Sequence, residues 1–413
     1  MLTKSWQPSG PRCRQVAPTR PFRIIYLIVP GHFDDVLLPM NSYNILVTGG
    51  AGFIGGHLVD ALIEQGHRVR ILDSLVDQVH EGRIPTHLNP EAEFVRGDVC
   101  DAGVVSRALD GVDTVFHEAA EVGVGQSMYE IVRYVKTNDL GTAVLLEEMI
   151  KRPGQFRKLV VASSNTIYGE GTSECEGCGI RIYPSLRPDT QLWEKSWEFS
   201  CDACGGSMRP VGTSEDKPLY PTTVYAVSKQ DQEQYCIAVG RAYKIPTVAL
   251  RYFNVYGTRQ TLSNPYTGVC AIFSSRLLND QPPVIFEDGE QSRDFVHVSD
   301  IVQANLLALE TDSADYHPAN VATGQATTIK QIAETLAKGL GKSIAPEIVG
   351  KYREGDIRHC IADISRARDL LCYEPKIDLE TGMAELLEWV REQKVDDKVQ
   401  AATAELASRS LVK

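Results

Sequence analysis

The chain has 413 residues, 43% of them apolar and 23% charged, with a formal net charge of −12. That is enough to bury a full core, most simply as two lobes, and the acidic balance argues against nucleic acid as the main partner. No apolar run reaches the roughly 20 residues that span a bilayer, and the early run from Ile24 to Val29 is too short for a signal-peptide core.

Residues 1–39 carry six prolines and read as a disordered extension ahead of the fold, with Met40 just before the first clear strand. From Asn44 onward apolar runs alternate with segments of helical spacing. Ile45-Leu46-Val47 leads into glycine, and Ile54, Leu58, Ala61 and Leu62 follow at helical intervals. Further runs lie at Val69–Leu72, Phe94-Val95, Val115-Phe116, Leu159–Ala162 and Val248–Leu250, the last after a helix expected from about Val224 to Tyr243. This alternation predicts an α/β fold, a doubly wound parallel sheet of Rossmann type with helices on both faces. The expected division is a dinucleotide-binding domain over 40–170, a four-cysteine insertion over 171–214, and a return to the first domain over 215–255. A smaller lobe follows over 256–395, rejoining the first domain near 293–312. The last stretch, 396–413, reads as a polar helix or frayed tail.

The first turn, Thr48-Gly49-Gly50-Ala51-Gly52-Phe53-Ile54-Gly55, spaces its glycines G-x-x-G-x-x-G. Gly49 permits the tight turn, Gly52 lets backbone approach a pyrophosphate, and Gly55 lets helix and strand pack closely. Asp73 closes the second strand, where a carboxylate accepts both ribose hydroxyls and repels a 2′-phosphate, so NAD is favoured over NADP. Asp98-Val99, after the third strand, falls where adenine would lie; a solvated turn residue is the alternative for Asp98. Tyr225 and Lys229 sit at i and i+4, on one helix face. An ammonium there would move the phenol's pKa down toward the working range. Ser163-Ser164 ends the fifth strand, and strand ends are where ligands bind in such sheets.

Of ten cysteines, four form two C-x-x-C pairs, Cys175/Cys178 and Cys201/Cys204, with 22 residues between them and Gly179 and Gly205 trailing. The spacing reads as a closed, structural zinc site. Two disulfides, four independent thiols or an iron site are the alternatives. Cys13, Cys100, Cys236, Cys270, Cys360 and Cys372 are scattered and read as reduced core thiols of a cytoplasmic protein. The insertion has few basic residues, which argues against a nucleic-acid-binding ribbon.

These motifs, with His117-Glu118-Ala119-Ala120, Ser163–Gly169, Arg251–Gly257, Arg293–Asp300 and Arg353-Glu354-Gly355-Asp356, resemble the extended short-chain dehydrogenase/reductase family, specifically its nucleotide-sugar epimerases. The resemblance covers most of 44–390. It implies Tyr225 as base and acid, Lys229 holding the nicotinamide ribose, and Ser164 bonding the sugar oxygen. It also implies that Phe53, Ile54, Ala119, Ala120, Asn138 and Tyr252 border tightly bound NAD, and that Asn254, Arg293 and Arg353 hold the nucleotide diphosphate. Dehydratases of the family carry Asp-Glu directly after the catalytic Thr, and its decarboxylases keep a Glu where this chain has Thr166. Here Asn165-Thr166 stands instead, and neither is a proton donor of comparable strength. The implied reaction is 4-epimerisation through a 4-keto sugar, in a homodimer, with dTDP-L-rhamnose or UDP-glucose as the type of substrate. The insertion, with Leu262–Val269, resembles a bacterial subgroup of these epimerases. A reductase exchanging NAD(P)H with solution and a non-catalytic NAD-binding protein are the competing readings.

Overall fold

Val, Ile and Leu follow one another without alternation in strands such as Asn44–Thr48 and Lys158–Ser164 because each is covered on both faces. Ile45, Val47, Ile71, Phe116, Val160 and Ala162 point into one core with Leu58, Val59 and Leu62 of the helix Phe53–Glu64 and Ile301, Ala304 and Ala308 of the helix Val298–Glu310. Leu46, Leu72, Val115, Leu159 and Val161 point into the other, with Val105, Leu145, Met149 and Cys236. The computed structural model describes residues 42–413, so the expectation for 1–39 and for Cys13 lies outside the described residues.

The sheet has seven strands: Asn44–Thr48, Arg68–Asp73, Glu93–Arg96, Thr114–His117, Lys158–Ser164, Thr247–Tyr252 and Pro318–Val321. Numbered along the chain, their spatial order is 3-2-1-4-5-6-7, all parallel. Strand order reverses between the first and fourth strands, which opens a crevice at their carboxyl ends. The expected doubly wound architecture is therefore present. The seventh strand was not expected: it returns to the sheet beyond the 293–312 segment, paired with the strand before Phe253. The two expected lobes lie in one compact unit, residues 43–413. The second has its own core, including Phe273, Leu277, Ile332, Leu336, Leu386 and Val390.

The cysteine insertion is not an appendage. Thr172–Cys175 pairs antiparallel with Met208–Thr213, and the latter pairs parallel with His359–Ala362 of the second lobe. His359–Ala362 in turn pairs with Ser292–Arg293. One six-stranded sheet thus runs from the cysteine pairs to Arg293. A buried charge cluster reinforces it. Arg187 of the insertion forks onto Glu287 at 2.8 and 3.0 Å, and Arg358 reaches Glu287 at 2.9 Å and Glu198 at 2.8 Å. Glu170 accepts the Arg358 N–H, and burial pushes its carboxyl up to about 7.

The final segment is also no frayed tail. Val399–Ser408 is a helix with Ala402 and Leu406 buried. Beyond it the backbone of 411–413 pairs with Tyr352 and Glu354. Of the scattered thiols, Cys236, Cys270 and Cys360 are buried as expected, but Cys100 is partly exposed, with its thiol donating to the Lys136 carbonyl. No described helix is long and apolar enough to cross a membrane.

Candidate active site

Two adjoining clefts open at the carboxyl ends of the strands. The first is bordered by Gly49, Gly52, Phe53, Ile54, Gly55, Asp73, Asp98, Val99, Ala119 and Ala120, which brings ten of the expected cofactor residues to one wall. Gly49 adopts φ +70°, and a Cβ there would lie 2.8 Å from the Ala119 nitrogen, so both turn and space demand glycine. At Gly55 a Cβ would meet the Gly49 carbonyl at 2.3 Å. Asp73 takes the Ala51 N–H at 3.1 Å and the Leu75 N–H at 2.8 Å, which fixes its carboxylate at the cleft rim with lone pairs to spare. Replacing Asp73 with Ala is expected to weaken NAD binding by about tenfold or more and to narrow the preference over NADP. Titrating both cofactors into the apo-protein checks this, and an unchanged ratio would remove Asp73 from the ribose.

Two expected cofactor residues face elsewhere. The Asn138 side chain accepts the Glu121 N–H at 2.8 Å and donates to Ser228 Oγ at 2.9 Å, so it braces the loop behind Ala119-Ala120. It sits in a π-helical turn, Val135–Leu140. The Tyr252 hydroxyl is held between Glu118 Oε1 and Asn305 Nδ2, each at 2.8 Å, inside the core. Glu118 itself borders the first cleft, and burial raises its carboxyl to about 7.

Ser164, Tyr225, Asn254, Arg293 and Arg353 all border the second cleft. Thr223 caps the helix Val224–Tyr243 through the Ala226 N–H, and Ser127 Oγ accepts the Tyr225 N–H at 3.0 Å. The Ser164 hydroxyl accepts from Thr166 Oγ1 at 2.9 Å. Lys229 is buried one turn on, with its amine donating to Ala162 O at 2.6 Å and Gln232 Oε1 at 2.7 Å. Gln232 bonds Thr142, and Thr142 bonds His117, which bonds Thr48. This buried chain fixes the lysine and was not expected. The expected tuning also differs. Burial raises the Tyr225 phenol, the Ser164 hydroxyl opposing it, and burial lowers Lys229 to about 8. The lysine amine is committed to Ala162 and Gln232.

Asn254 Oδ1 is buried without a protein partner, as a ligand-facing amide would be. Arg293 donates to the carbonyls of Ser292, Arg358 and Ile357, while Arg353 pairs with Asp356 and lies over the Phe286 ring. Phe286, Gln291 and Gln260 also border this cleft. They lie in irregular loops, where spacing gives no signal.

At the far end of the six-stranded sheet the four cysteine sulfurs lie within 4.8 Å of one another. Cys175 and Cys204 are 3.4 Å apart, and Cys178 and Cys201 are 3.6 Å apart. A disulfide needs about 2.05 Å. A tetrahedron with metal–sulfur bonds of about 2.3 Å has edges near 3.8 Å, so the donor set fits a single ion. Gly179 and Gly205 take φ +73° and +70°, and a Cβ on Gly206 would crowd two sulfurs at 3.2 Å.

A model of the NAD dependent epimerase/dehydratase family matches residues 45–185 and 193–322. The chain is 35% identical to a dTDP-L-rhamnose 4-epimerase of Burkholderia thailandensis, over 86% of this chain and 96% of that one. It is similar to the crystal structure of a Thermotoga maritima UDP-glucose 4-epimerase with UDP-glucose, at 34% identity and TM-score 0.69, covering 84% of this chain and 99% of that one. A Thermus thermophilus UDP-glucose 4-epimerase complexed with NAD gives 30% identity and TM-score 0.67, covering 85% of this chain and 100% of that one. With the family model matching well over half of the chain and relatives aligned along nearly their whole length, the chain belongs to the NAD dependent epimerase/dehydratase family.

Proposed function

We propose that the protein is a nucleotide-sugar 4-epimerase with resident NAD. The observation that carries this is the convergence of Ser164 and Tyr225 with Asn165-Thr166 on one cleft that adjoins the dinucleotide crevice. Ser164 and Tyr225 suit reversible oxidation of a hydroxyl, and no carboxylic acid stands at 165 or 166 to eliminate water or assist loss of a carboxylate. Ser164 orients the C4 oxygen and Tyr225 takes its proton, then returns one after the keto sugar has turned over in the pocket. Bound NAD supplies the hydride acceptor and donor. Asn254, Arg293 and Arg353 hold the diphosphate, the arginines by paired N–H groups. The relatives' substrates favour a dTDP- or UDP-hexose. The test is to incubate the purified protein with UDP-, dTDP- and GDP-sugars without added cofactor and to follow each sugar carbon by NMR. Interconversion of one C4 pair without net NADH supports the reading; turnover only with stoichiometric NAD(P)H oxidation would make the protein a reductase.

The four cysteines are read as a structural zinc site, in keeping with their tetrahedral spacing and absence of an open position. A homodimer is the expected assembly. Ile131, Val132 and Val135 are exposed beside Val227, Tyr235 and Tyr243 of the catalytic helix, an apolar surface on two neighbouring helical segments. Sedimentation equilibrium should return twice the chain mass at micromolar concentration, and a monomer there would sink the dimer.

A further inference from the structure

The last helix borders the substrate cleft. Val399, Ala402, Thr403 and Leu406 stand at i, i+3, i+4 and i+7, one face of a helix, and all four line it. The Leu406 methyl carbons would come within 3.3 and 3.4 Å of a Cβ on Gly125, so only glycine there leaves the leucine its full depth. Gly125 belongs to the turn Val124–Ser127, and Ser127 is the residue that holds the Tyr225 N–H. Leu406 is therefore seated on the turn that seats the catalytic tyrosine, at the sugar end of the cleft.

Both ends of the segment are tied down. Asp397 pairs with buried Arg276 at 3.1 Å before the helix. After it, the Arg409 guanidinium covers the Tyr129 ring, whose hydroxyl meets that of Tyr266 at 2.6 Å. The final backbone bonds to Tyr352 and Glu354 flank Arg353, and Lys413 bridges Glu354 and Asp189 of the insertion at 2.8 and 2.9 Å. A segment anchored so firmly against three parts of the site is a fixed wall.

Its chemistry is apolar with one hydroxyl. Opposite it stand Val122, Gly123, Val124 and Gly125. Among the described residues bordering this cleft the only cations are Arg293 and Arg353, which the reading above assigns to the diphosphate. A carboxylate set against this wall would find no cation to pair with, a larger cost than burying a neutral hydroxymethyl or methyl group there. We propose that the terminal helix, through Thr403 and Leu406, sets the sugar specificity of the enzyme, accepting neutral hexosyl nucleotides and rejecting uronosyl ones. The proposal rests on the nucleotide-sugar reading.

The test is calorimetric binding of UDP, UDP-glucose and UDP-glucuronate, and of dTDP and dTDP-glucose, to the holoenzyme and to Leu406→Ala and Thr403→Arg. The wild type should bind the hexosyl nucleotide at least about tenfold more tightly than the uronosyl one. Leu406→Ala should weaken the hexosyl nucleotide by about fivefold or more, with the nucleoside diphosphate unchanged within about twofold. Thr403→Arg should move the preference toward the uronosyl nucleotide by about tenfold. Equal weakening of nucleoside diphosphate and nucleotide sugar, or no change in either variant, would overturn the proposal. Should Leu406→Ala lose its cofactor or unfold, Thr403→Arg decides alone. Failure of the wild type to bind any nucleotide sugar would overturn the parent reading, an outcome distinct from indiscriminate binding.

Discussion

Tyr225→Phe is expected to lower turnover by about 10³-fold or more while the protein keeps its bound NAD and its melting temperature. The substitution removes one oxygen and leaves the ring. The ring packs edge-on to Tyr134, with centroids 6.4 Å apart, and the backbone N–H remains on Ser127. The lost oxygen is the only group at that position able both to take and to return a proton. Lys229 cannot replace it, being held by Ala162 and Gln232. The pH profile follows from the same geometry. Burial raises the phenol, so the base form grows as pH rises. Burial lowers Lys229 to about 8, so its cation, present below that pH, is lost above it. Activity should therefore climb through neutrality and level off above about pH 8, where each gain in phenolate is offset by loss of the ammonium. Retention of more than about a tenth of wild-type turnover in the Phe variant would remove Tyr225 from proton transfer.

Cys175→Ser and Cys201→Ser are each expected to bring bound zinc from about one equivalent to a small fraction of it, because a closed four-thiolate site tolerates no missing ligand well. Structural zinc is worth roughly 10 kcal/mol or more in small domains, comparable to the whole stability of many proteins. The insertion has two small clusters, Cys175, Cys201 and Met208 with Ile182 and Phe199 against them, and Leu192 and Trp197 against Tyr352, too little to hold the strands without the ion. Limited proteolysis should then cut within 176–207. The damage should not stay local. Loosening the insertion frees Arg187 from Glu287, and breaking a buried pair of this kind costs about 3–5 kcal/mol. Glu287 borders the substrate cleft, so KM for the nucleotide sugar should rise more than kcat falls. Full zinc content in both serine variants, or under half an equivalent in fresh wild-type protein, would refute the site.

What could be read from the sequence follows how local each signal is. Five of the first six strands announced themselves as buried apolar runs and the third as a half-buried Phe94-Val95 pair, and Gly49, Gly55 and Asp73 stand at positions where backbone geometry or the cleft admits few residue types. The seventh strand, Pro318-Ala319-Asn320-Val321, has a proline and a buried asparagine, and Asn320 is satisfied only by Tyr168, Thr213 and Asp363 from afar. Nothing near it in sequence reveals that. The strands Arg181–Ile182, Ser292–Arg293 and Thr327–Thr328 are two residues long, below any detectable period, so the second sheet was invisible. The terminal helix was read as polar because its apolar face is narrow and alanine-rich. Asn138 and Tyr252 show a different limit: their positions are near the cofactor crevice, but their polar atoms are committed to protein partners that only the folded chain brings within reach.

The six-stranded sheet has a consequence for anyone who would simplify this enzyme. A designer seeing a 44-residue four-cysteine insertion, residues 171–214, would excise it as a cassette or graft it onto a relative. Excision would strip Met208–Thr213 from the flank of His359–Ala362 and leave an unpaired edge along the strand that itself pairs with Ser292–Arg293. Exposed edges invite pairing with another chain, so the shortened protein should precipitate before it loses catalysis. Grafting would fail for the converse reason, since the recipient would need a matching edge and the Glu287–Arg358 pair to receive it. The insertion and the lobe are, in engineering terms, a single part.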